Sequence, residues 1–195
     1  CPTGALTEND STKEVFDALN NPELTVVVSP APSVRAGLGE EFGYPIGTDI
    51  EGKLPTALRR LGFKYVFDVD FAADLTIMEE GYEFIDRVQN NGTLPLITSC
   101  SPGWINFITA YYPELIPHLS TAKSPMQMQG ATLKTYWAQK MGIDPKKLFV
   151  VHIMPCTAKK TEINYESNAL KGLRDTDAVL TVRELARMIK QKGID

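Results

Sequence analysis

The sequence predicts an α/β protein built on a mainly parallel sheet of about four strands, with helices on both faces. Two observations support this prediction. Strand-like and helical segments alternate along the 195 residues, as they do in βαβ units. The strand-like segments are also continuous apolar runs without polar–apolar alternation, which indicates strands that are buried on both faces.

The elements follow one another in a simple order. A short helix is expected over residues 13–20, then a strand over 24–30 and a loop that leads into a helix. A helix at 49–61, a strand at 64–70 and a long helix from Phe71 follow, and Asn91-Gly92 is a typical helix end. The remaining expected elements are a strand at 94–100, helices at 101–112 and 124–141, a strand at 147–155, a short strand at 178–180 and a helix at 182–192.

Composition excludes several classes of function. Hydrophobic residues make up 43% and charged residues 23%, as in ordinary globular domains. A net charge of −4 argues against a nucleic-acid partner, which requires a basic face. No apolar run is long enough to span a membrane, and the N-terminus lacks a signal-peptide pattern. Three cysteines are too few for a disulfide scaffold, which favours a cytoplasmic location.

Three of the predicted strand ends have unusual sequences: SPAPS (29–33), TSCSP (98–102) and MPCT (154–157). Ligands of open α/β sheets collect at the carboxyl ends of strands, so these loops are expected to line one site. A single free cysteine is usually just a small buried residue. Cys100 and Cys156 in matching loops favour a shared metal or cluster site, although two thiolates alone cannot complete four ligands.

Several polar residues near these loops have structural interpretations. Ser101 precedes Pro102 where a helix should begin, and serine and proline are preferred at those two positions. A hydroxyl is also a weak metal ligand. His152 lies inside an apolar strand and is interpreted as a core residue whose ring nitrogens are satisfied by hydrogen bonds. Lys160 is interpreted as a surface residue. Lys159 near a helix start is electrostatically unfavourable, which suggests an anion nearby.

An acidic stripe marks the predicted long helix. Glu80, Glu83 and Arg87 share one face because they are three and then four residues apart. Apolar residues cover the helix nearly all round, which indicates a buried helix. Buried carboxylates in a row have perturbed pKa values and can relay protons. The spacing alone leaves open a proton relay or a buried ion pair.

Two motifs together resemble the [FeFe]-hydrogenases, or iron-only hydrogenases, in their large-subunit catalytic domain. TSCSPGW (98–104) is similar to the family signature TSCCPxW, and MPCTAKKTE (154–162) matches MPCxxKxxE in full. ADLTIMEE (73–80), YYPEL (111–115) and AKSP (122–125) extend the resemblance over nearly the whole chain. The resemblance implies that the sheet belongs to one lobe of the iron-only hydrogenase fold.

The resemblance implies roles for single residues around an H-cluster, which is a [4Fe-4S] cluster bridged by a cysteine to a two-iron unit. Cys100 corresponds to the cysteine that passes protons to that unit, and Cys156 to a [4Fe-4S] ligand. Lys159 corresponds to the lysine that binds a cyanide of the two-iron unit. The proton route corresponds to Glu80, Ser120, Glu83 and Arg87, and Glu162 of the second motif joins this catalytic set. The lining of the two-iron unit corresponds to Ala31, Pro32, Ser33, Met154 and Pro155.

The sequence also departs from the family pattern. Ser101 stands at the position of a family cysteine that ligates the cluster, and Met126 stands where many members have glutamine. The third signature, ExMxCxxGCxxGGGxP, which carries the last two cysteines, is absent from this chain. We therefore expect the chain alone to hold no complete H-cluster and to be inactive.

The resemblance also suggests the organisation of a longer protein. CPTGAL resembles the tail of a ferredoxin-like iron–sulfur domain, which assigns residues 1–10 to that domain and Cys1 to its cluster. Residues 11–195 then form the N-terminal part of the catalytic domain. The Cys1-Pro2 start and the end after a helical pattern lead us to expect a segment of a parent protein. Its implied partners are the remainder of the catalytic domain, H2, protons, and ferredoxin or another electron-carrier subunit that feeds accessory [4Fe-4S] clusters.

The implied function is reversible H2 oxidation and proton reduction in anaerobic hydrogen metabolism, and three alternatives stay open. An H2-sensing member is favoured by Ser101 and opposed by the intact proton route. A hydrogenase-like iron–sulfur assembly protein without H2 turnover is opposed by the complete MPCTAKKTE motif. The third alternative is an α/β domain without metal, in which both cysteines are structural.

Overall fold

Four parallel strands form the central sheet of the protein in a computed structural model. The structure describes residues 3–5, 7–170 and 172–194. The strands are β1 (Thr25–Pro30), β2 (Tyr65–Val66), β3 (Leu148–Met154) and β6 (Ala178–Thr181), in the order β2-β1-β3-β6. Two further strands, β4 (Ala169–Leu170) and β5 (Leu173–Arg174), pair as an antiparallel hairpin. The predicted fold class is therefore confirmed.

Helices connect the strands and cover the sheet. Their bounds are α1 Thr12–Leu19, α2 Val34–Gly37, α3 Leu54–Leu61, α4 Asp70–Gln89, α5 Pro102–Tyr111, α6 Pro125–Thr132, α7 Ala138–Met141, α8 Lys159–Glu162 and α9 Val182–Gln191. A π-helical segment, Leu133–Trp137, joins α6 to α7, so the helix predicted over 124–141 is present with a wider turn near its middle. Short 3₁₀ turns lie at Gly39–Phe42, Pro113–His118, Pro145–Lys147 and Glu166–Asn168. The helix predicted at 49–61 begins later, at Leu54.

Both faces of the sheet are buried, which explains the continuous apolar runs. Successive side chains of a strand point to opposite faces. Val26 and Val28 belong to a core cluster that also contains Leu58 of α3. Val27, between them, belongs to a second cluster with Leu133 of the π-helical segment. Burial of this kind supplies the main stabilisation of the fold, at about 25 cal/mol for each Å² of apolar surface.

The strand predicted over 94–100 is wrong. Within that segment only Ile97 forms a β-bridge, to Leu119, which lies outside the four-stranded sheet. Ile97 N donates to His118 O at 2.8 Å, and Ser120 N donates to Ile97 O at 2.7 Å. The guanidinium of Arg87 donates to further carbonyl oxygens of the same two segments. The backbone N–H and carbonyl groups of Ile97 are thus both hydrogen-bonded without a neighbour in the sheet.

The interpretation of α4 as a buried helix is also wrong for this chain. Its only buried residues are Ala72 and Thr76, on the side that packs against α6. Ile77 is 67% exposed and Tyr82 is 64% exposed. We refer below to the α4 apolar surface, which consists of Ile77, Met78, Tyr82, Phe84, Ile85 and Val88, all of them exposed.

Candidate functional site

The three loops predicted to line one site lie at the carboxyl edge of the sheet. Ala31, directly after β1, donates its backbone N–H to the carbonyl oxygen of Ile153 in β3 at 2.9 Å. Lys159, at the start of α8, donates from Nζ to the carbonyl oxygen of Cys100 at 2.7 Å. The Cys100 and Cys156 loops therefore meet through one lysine side chain. Both cysteines are free and exposed.

Lys159 has one hydrogen-bond acceptor, the carbonyl oxygen of Cys100, and one ion-pair partner, Glu162. Its Nζ atom lies 2.7 Å from Glu162 Oε2, and the two side chains are only 12% and 6% exposed. The pair is three residues apart, so one turn of α8 is enough to bring the charges together. The charge of Lys159 reaches His152 as well. Burial first, and then this positive charge, lower the pKa of His152 to about 3, so the imidazole is neutral at pH 7.

The start of α5 only partly matches its sequence interpretation. Ser101 occupies the N-cap position with extended backbone angles, and Pro102 is the first helical residue, as predicted. The Ser101 side chain makes no capping hydrogen bond. Its hydroxyl is exposed beside Cys100.

Glu83 is the centre of the acidic stripe. Ser120 donates from Oγ to Glu83 Oε2 at 2.8 Å, and Arg87 donates from Nη2 to Oε1 at 2.6 Å. The backbone N–H of Thr121 donates to the same carboxylate, 3.0 Å from Oε2. Burial acts to raise the pKa of Glu83, but the hydrogen bonds from Ser120, Thr121 and Arg87 outweigh it and lower the pKa below its usual value. Glu83 is thus a charged hydrogen-bond acceptor at neutral pH.

Arg87 also has a structural task that the sequence did not reveal. Besides Glu83, the guanidinium contacts four backbone carbonyl oxygens, those of Thr93, Pro117, His118 and Leu119, at 3.1, 3.2, 3.3 and 2.7 Å. Arginine suits this position because its planar group carries five N–H donors. Arg87 therefore fixes the segment before Cys100 against the segment before Ser120.

The structure connects only part of the predicted proton route. Ser120, Glu83 and Arg87 form one hydrogen-bonded chain. Glu80 is partly buried one turn before Glu83 on α4, and across the described residues its carboxylate takes part in no hydrogen bond or ion pair. Cys100 contributes only its carbonyl oxygen to the contact with Lys159. The predicted ligand Cys1 lies outside the described residues.

The predicted lining residues differ in burial. Ala31 and Met154 are buried beneath the edge, whereas Pro32, Ser33 and Pro155 are exposed on it. Met126, which replaces a glutamine of the family pattern, is 1% exposed and part of the core. The exposed members are the ones that a bound group at this edge could contact.

The interpretation of Lys160 as a surface residue is wrong. Its side chain is 8% exposed and its Nζ atom lies 2.6 Å from Glu184 Oε1. Glu184 belongs to a capping box with Thr181 at the start of α9. That pattern, threonine followed three residues later by glutamate, was readable in the sequence. The sequence around Glu184 does not indicate its partner, because Lys160 lies 24 residues away in the chain.

The donors at this edge do not make a complete iron–sulfur site. Among the described residues, no three His, Cys, Asp or Glu side chains lie close enough to hold a metal ion. The edge offers the thiols of Cys100 and Cys156 and the hydroxyl of Ser101, whereas a [4Fe-4S] cluster takes four thiolates. The described residues of this edge therefore do not fit a whole cluster by themselves.

Comparison with known proteins identifies the family. Residues 24–195 match the model of the iron only hydrogenase large subunit, C-terminal domain. The chain belongs to this iron-only hydrogenase family. It is 52% identical to subunit HndD of the NADP-reducing hydrogenase of Solidesulfovibrio fructosivorans, over 100% of this chain and 34% of that protein. It is also 52% identical to iron hydrogenase 1 of Clostridium pasteurianum, over 99% of this chain and 34% of that protein.

Solved structures agree with this membership of the iron-only hydrogenases. The apo [FeFe]-hydrogenase HydA1 from Chlamydomonas reinhardtii, solved as a variant, superposes with a TM-score of 0.90 at 40% identity. The match covers 95% of this chain and 48% of that one, so the chain spans about half of the solved relative and about a third of the curated ones.

More distant relatives include cytosolic iron-sulfur assembly component 3 of Pongo abelii, 34% identical over 95% of this chain and 41% of that protein.

Within the described part of this hydrogenase-family chain, no helix is both long and apolar enough to cross a membrane.

Proposed function

We propose that the whole protein catalyses reversible H2 oxidation and proton reduction at an H-cluster, and that this chain supplies one wall of that site. The observation that supports this most directly is the position of Lys159. A nearly buried ammonium group contacts the Cys100 loop and stands three residues after Cys156. This arrangement suits an anionic metal group held between two cysteine loops. The names of the two hydrogenase relatives point to the same chemistry.

The proposed roles divide into binding and proton transfer. Cys156 would ligate the [4Fe-4S] part of the cluster, and Lys159 would hold an anionic ligand of the two-iron unit. Cys100 would carry a proton on its thiol beside that unit. Pro32, Ser33 and Pro155 line it at the edge, above the buried Ala31 and Met154. When bound, the cluster supplies the redox chemistry and the site at which H2 forms.

Protons are proposed to pass between the surface and Cys100 through Arg87, Glu83, Ser120 and Glu80. The short bonds of Ser120 and Arg87 to Glu83 support the outer half of this route. In the inner half, Glu80 needs a water molecule or a side-chain rotation to reach its neighbours. Glu162 acts indirectly, because its carboxylate holds the Lys159 ammonium group.

The remaining cluster ligands are proposed to come from the rest of the polypeptide, because this chain offers one thiolate assigned to the [4Fe-4S] cluster. Electrons are proposed to arrive through accessory [4Fe-4S] clusters, one of them bound by Cys1, from ferredoxin or another electron-carrier subunit. We place the protein in the cytoplasm, in line with its few cysteines.

The test of this function is Glu80→Gln in the whole protein, with Glu79→Gln as the matched control. Glu79 is the exposed neighbour on α4. Glu80→Gln removes a titratable proton carrier without changing the size of the side chain, so H2 evolution should fall at least about 100-fold, at the lower end of what a positioned acid–base group contributes. The infrared bands of the cluster should stay unchanged, and Glu79→Gln should be active. Full activity of Glu80→Gln would remove Glu80 from the route.

A second candidate function is iron–sulfur cluster binding without H2 turnover. Two observations favour it: Ser101 at the position of a family cysteine, and the similarity to cytosolic iron-sulfur assembly component 3. Anaerobic reconstitution of the whole protein separates the two candidates. A stable [4Fe-4S] spectrum with no H2 evolution, even after supply of the two-iron unit, would favour this second function. An H2-sensing member would show the cluster bands with only weak turnover.

A further inference from the structure

Two consecutive lysines of α8 contact different segments of the chain. Lys159 extends to the carboxyl edge and the Cys100 loop. Lys160 extends the other way, to the segment that precedes α1. Its Nζ atom donates to Asn9 O at 2.6 Å and to Ser11 Oγ at 3.0 Å, and it lies 2.6 Å from Glu184 Oε1. Three acceptors around one nearly buried ammonium group satisfy all of its donors.

Glu184 completes this contact from α9. Its Oε1 atom accepts from the backbone N–H of Ser11 at 2.9 Å, and its Oε2 atom accepts from the backbone N–H of Thr181 at 2.6 Å. Burial acts to raise the pKa of Glu184, but the bonds from Lys160, Thr181 and Ser11 outweigh it and lower the pKa. Lys160 and Glu184 are therefore a charged pair, 8% and 4% exposed.

A second, exposed set of ion pairs holds the same segment. Arg187, one turn after Glu184 on α9, lies 3.1 Å from Glu8 and 2.9 Å from Asp10. Exposed pairs of this kind contribute little stability. The nearly buried contact at Lys160 is therefore the main attachment of the segment. Lys160 is the next residue in the chain after Lys159.

From this geometry we propose that Lys160 is a positioning residue for the hydrogenase site. It couples the N-terminal segment, residues 8–11, to the α8 turn, so that displacement of the segment moves Lys159. The expected effect on catalysis rests on the proposed function, because that function gives Lys159 its role at the cluster. The mechanical coupling stands on the contacts alone. A displacement of the polypeptide that precedes residue 8 can thereby be transmitted through Lys160 to Lys159.

The experiment is hydrogen exchange on the whole protein carrying Lys160→Met. Methionine keeps the length of the side chain and removes its charge and donors. We expect exchange to become at least about tenfold faster both in residues 8–12 and in residues 156–162, because both segments lose the same partner. Strand β1 should keep its protection. Faster exchange in residues 8–12 with unchanged exchange in 156–162 would overturn the coupling.

Two further variants keep the test decisive. Lys159→Met is the matched control, and it should loosen residues 98–101 and leave residues 8–12 protected. Ser11→Ala removes one contact and leaves the charged pair intact, so it should give a smaller effect in both segments. If Lys160→Met does not fold, the exchange rates of Ser11→Ala test the coupling instead. Faster exchange that is confined to residues 8–12 in this variant would contradict the proposal.

An infrared readout separates this proposal from the proposed function. In the loaded protein, Lys160→Met should shift the cyanide stretching bands, because the Lys159 ammonium group moves. A purely structural Lys160 would leave the bands in place. A protein that carries no such bands in any variant contradicts the proposed function, whereas joint loosening of the two segments would still support the coupling.

Discussion

His152 shows how burial and a nearby charge set the behaviour of one residue. Its ring is fully buried in β3, and its Nδ1 atom lies 3.2 Å from the Thr176 hydroxyl. Its Nε2 atom has no hydrogen-bond partner among the described residues, so the interpretation of a satisfied core histidine is only half right. The sequence shows an apolar strand around this histidine, and it does not show which atoms lie beside the two ring nitrogens.

A pH dependence of stability follows from His152. Its pKa is about 3 in the folded protein against 6.5 in a model compound, so the unfolded chain binds one more proton between these values. The free energy of unfolding should therefore fall by about 1.4 kcal/mol for each unit as the pH decreases through this window. Denaturant titrations of the wild type and of His152→Leu at pH 7, 6 and 5 measure the difference.

The comparison between the wild type and His152→Leu separates the contribution of the histidine from that of other titrating groups. Glu83 and Glu184 have lowered pKa values, so their contributions are lost only at more acidic pH and are shared by both proteins. His118→Gln is the control for the loss of an imidazole, because His118 is not fully buried. Equal slopes for the wild type and His152→Leu would show that His152 binds a proton as readily in the folded protein as in the unfolded chain, which would contradict the lowered pKa.

At the scale of elements, α6 packs unusually closely against the chain that enters β6. A Cβ atom on Gly130 would lie 2.9 Å from Thr176 Oγ1 and 2.7 Å from the carbonyl carbon of Asp175, distances that real Cβ atoms do not adopt. Gly130→Ala should destabilise the protein by about 1–3 kcal/mol, because the backbone has to move. Denaturant unfolding measures this value.

Gly81→Ala is the control for this substitution. Gly81 lies inside α4 with nothing within 4 Å of its position for a Cβ atom, so alanine should stabilise the helix by up to about 1 kcal/mol. A neutral Gly130→Ala would mean that α6 can slide away from Asp175 at no cost. The opposite signs expected for two helical glycines separate packing from helix propensity.

The elements also show what a sequence can and cannot predict. Strands β1 and β3 were predictable because each is a continuous apolar run that is buried on both faces. The equally apolar segment around Ile97 was not, because its partners depend on Arg87 and on residues near His118. The position of the Cys156 loop was predictable because it follows strand β3, whereas the inward direction of Lys160 depends on Asn9 and Ser11, about 150 residues away.

At the scale of the whole molecule, the α4 apolar surface is the feature that most needs a partner. Its six residues form a long stripe on one exposed helix, whereas isolated exposed apolar residues are ordinary. The solved hydrogenase relative extends to about twice the length that this chain covers. We expect the rest of the catalytic domain to cover this surface, so that α4 becomes buried as its sequence indicates.

Ile77→Lys tests this expectation by comparison of two protein lengths. In the isolated chain the side chain is 67% exposed, so the substitution should change the free energy of unfolding by less than about 0.5 kcal/mol. In the whole protein the same lysine would lose its hydration, and the cost should reach about 2 kcal/mol or more. Tyr136→Lys is the control, because Tyr136 is similarly exposed, at 63%, and lies outside the stripe. Because the only difference between the two measurements is the added polypeptide, a small effect of Ile77→Lys in both would mean that the stripe stays uncovered and that the added residues pack elsewhere.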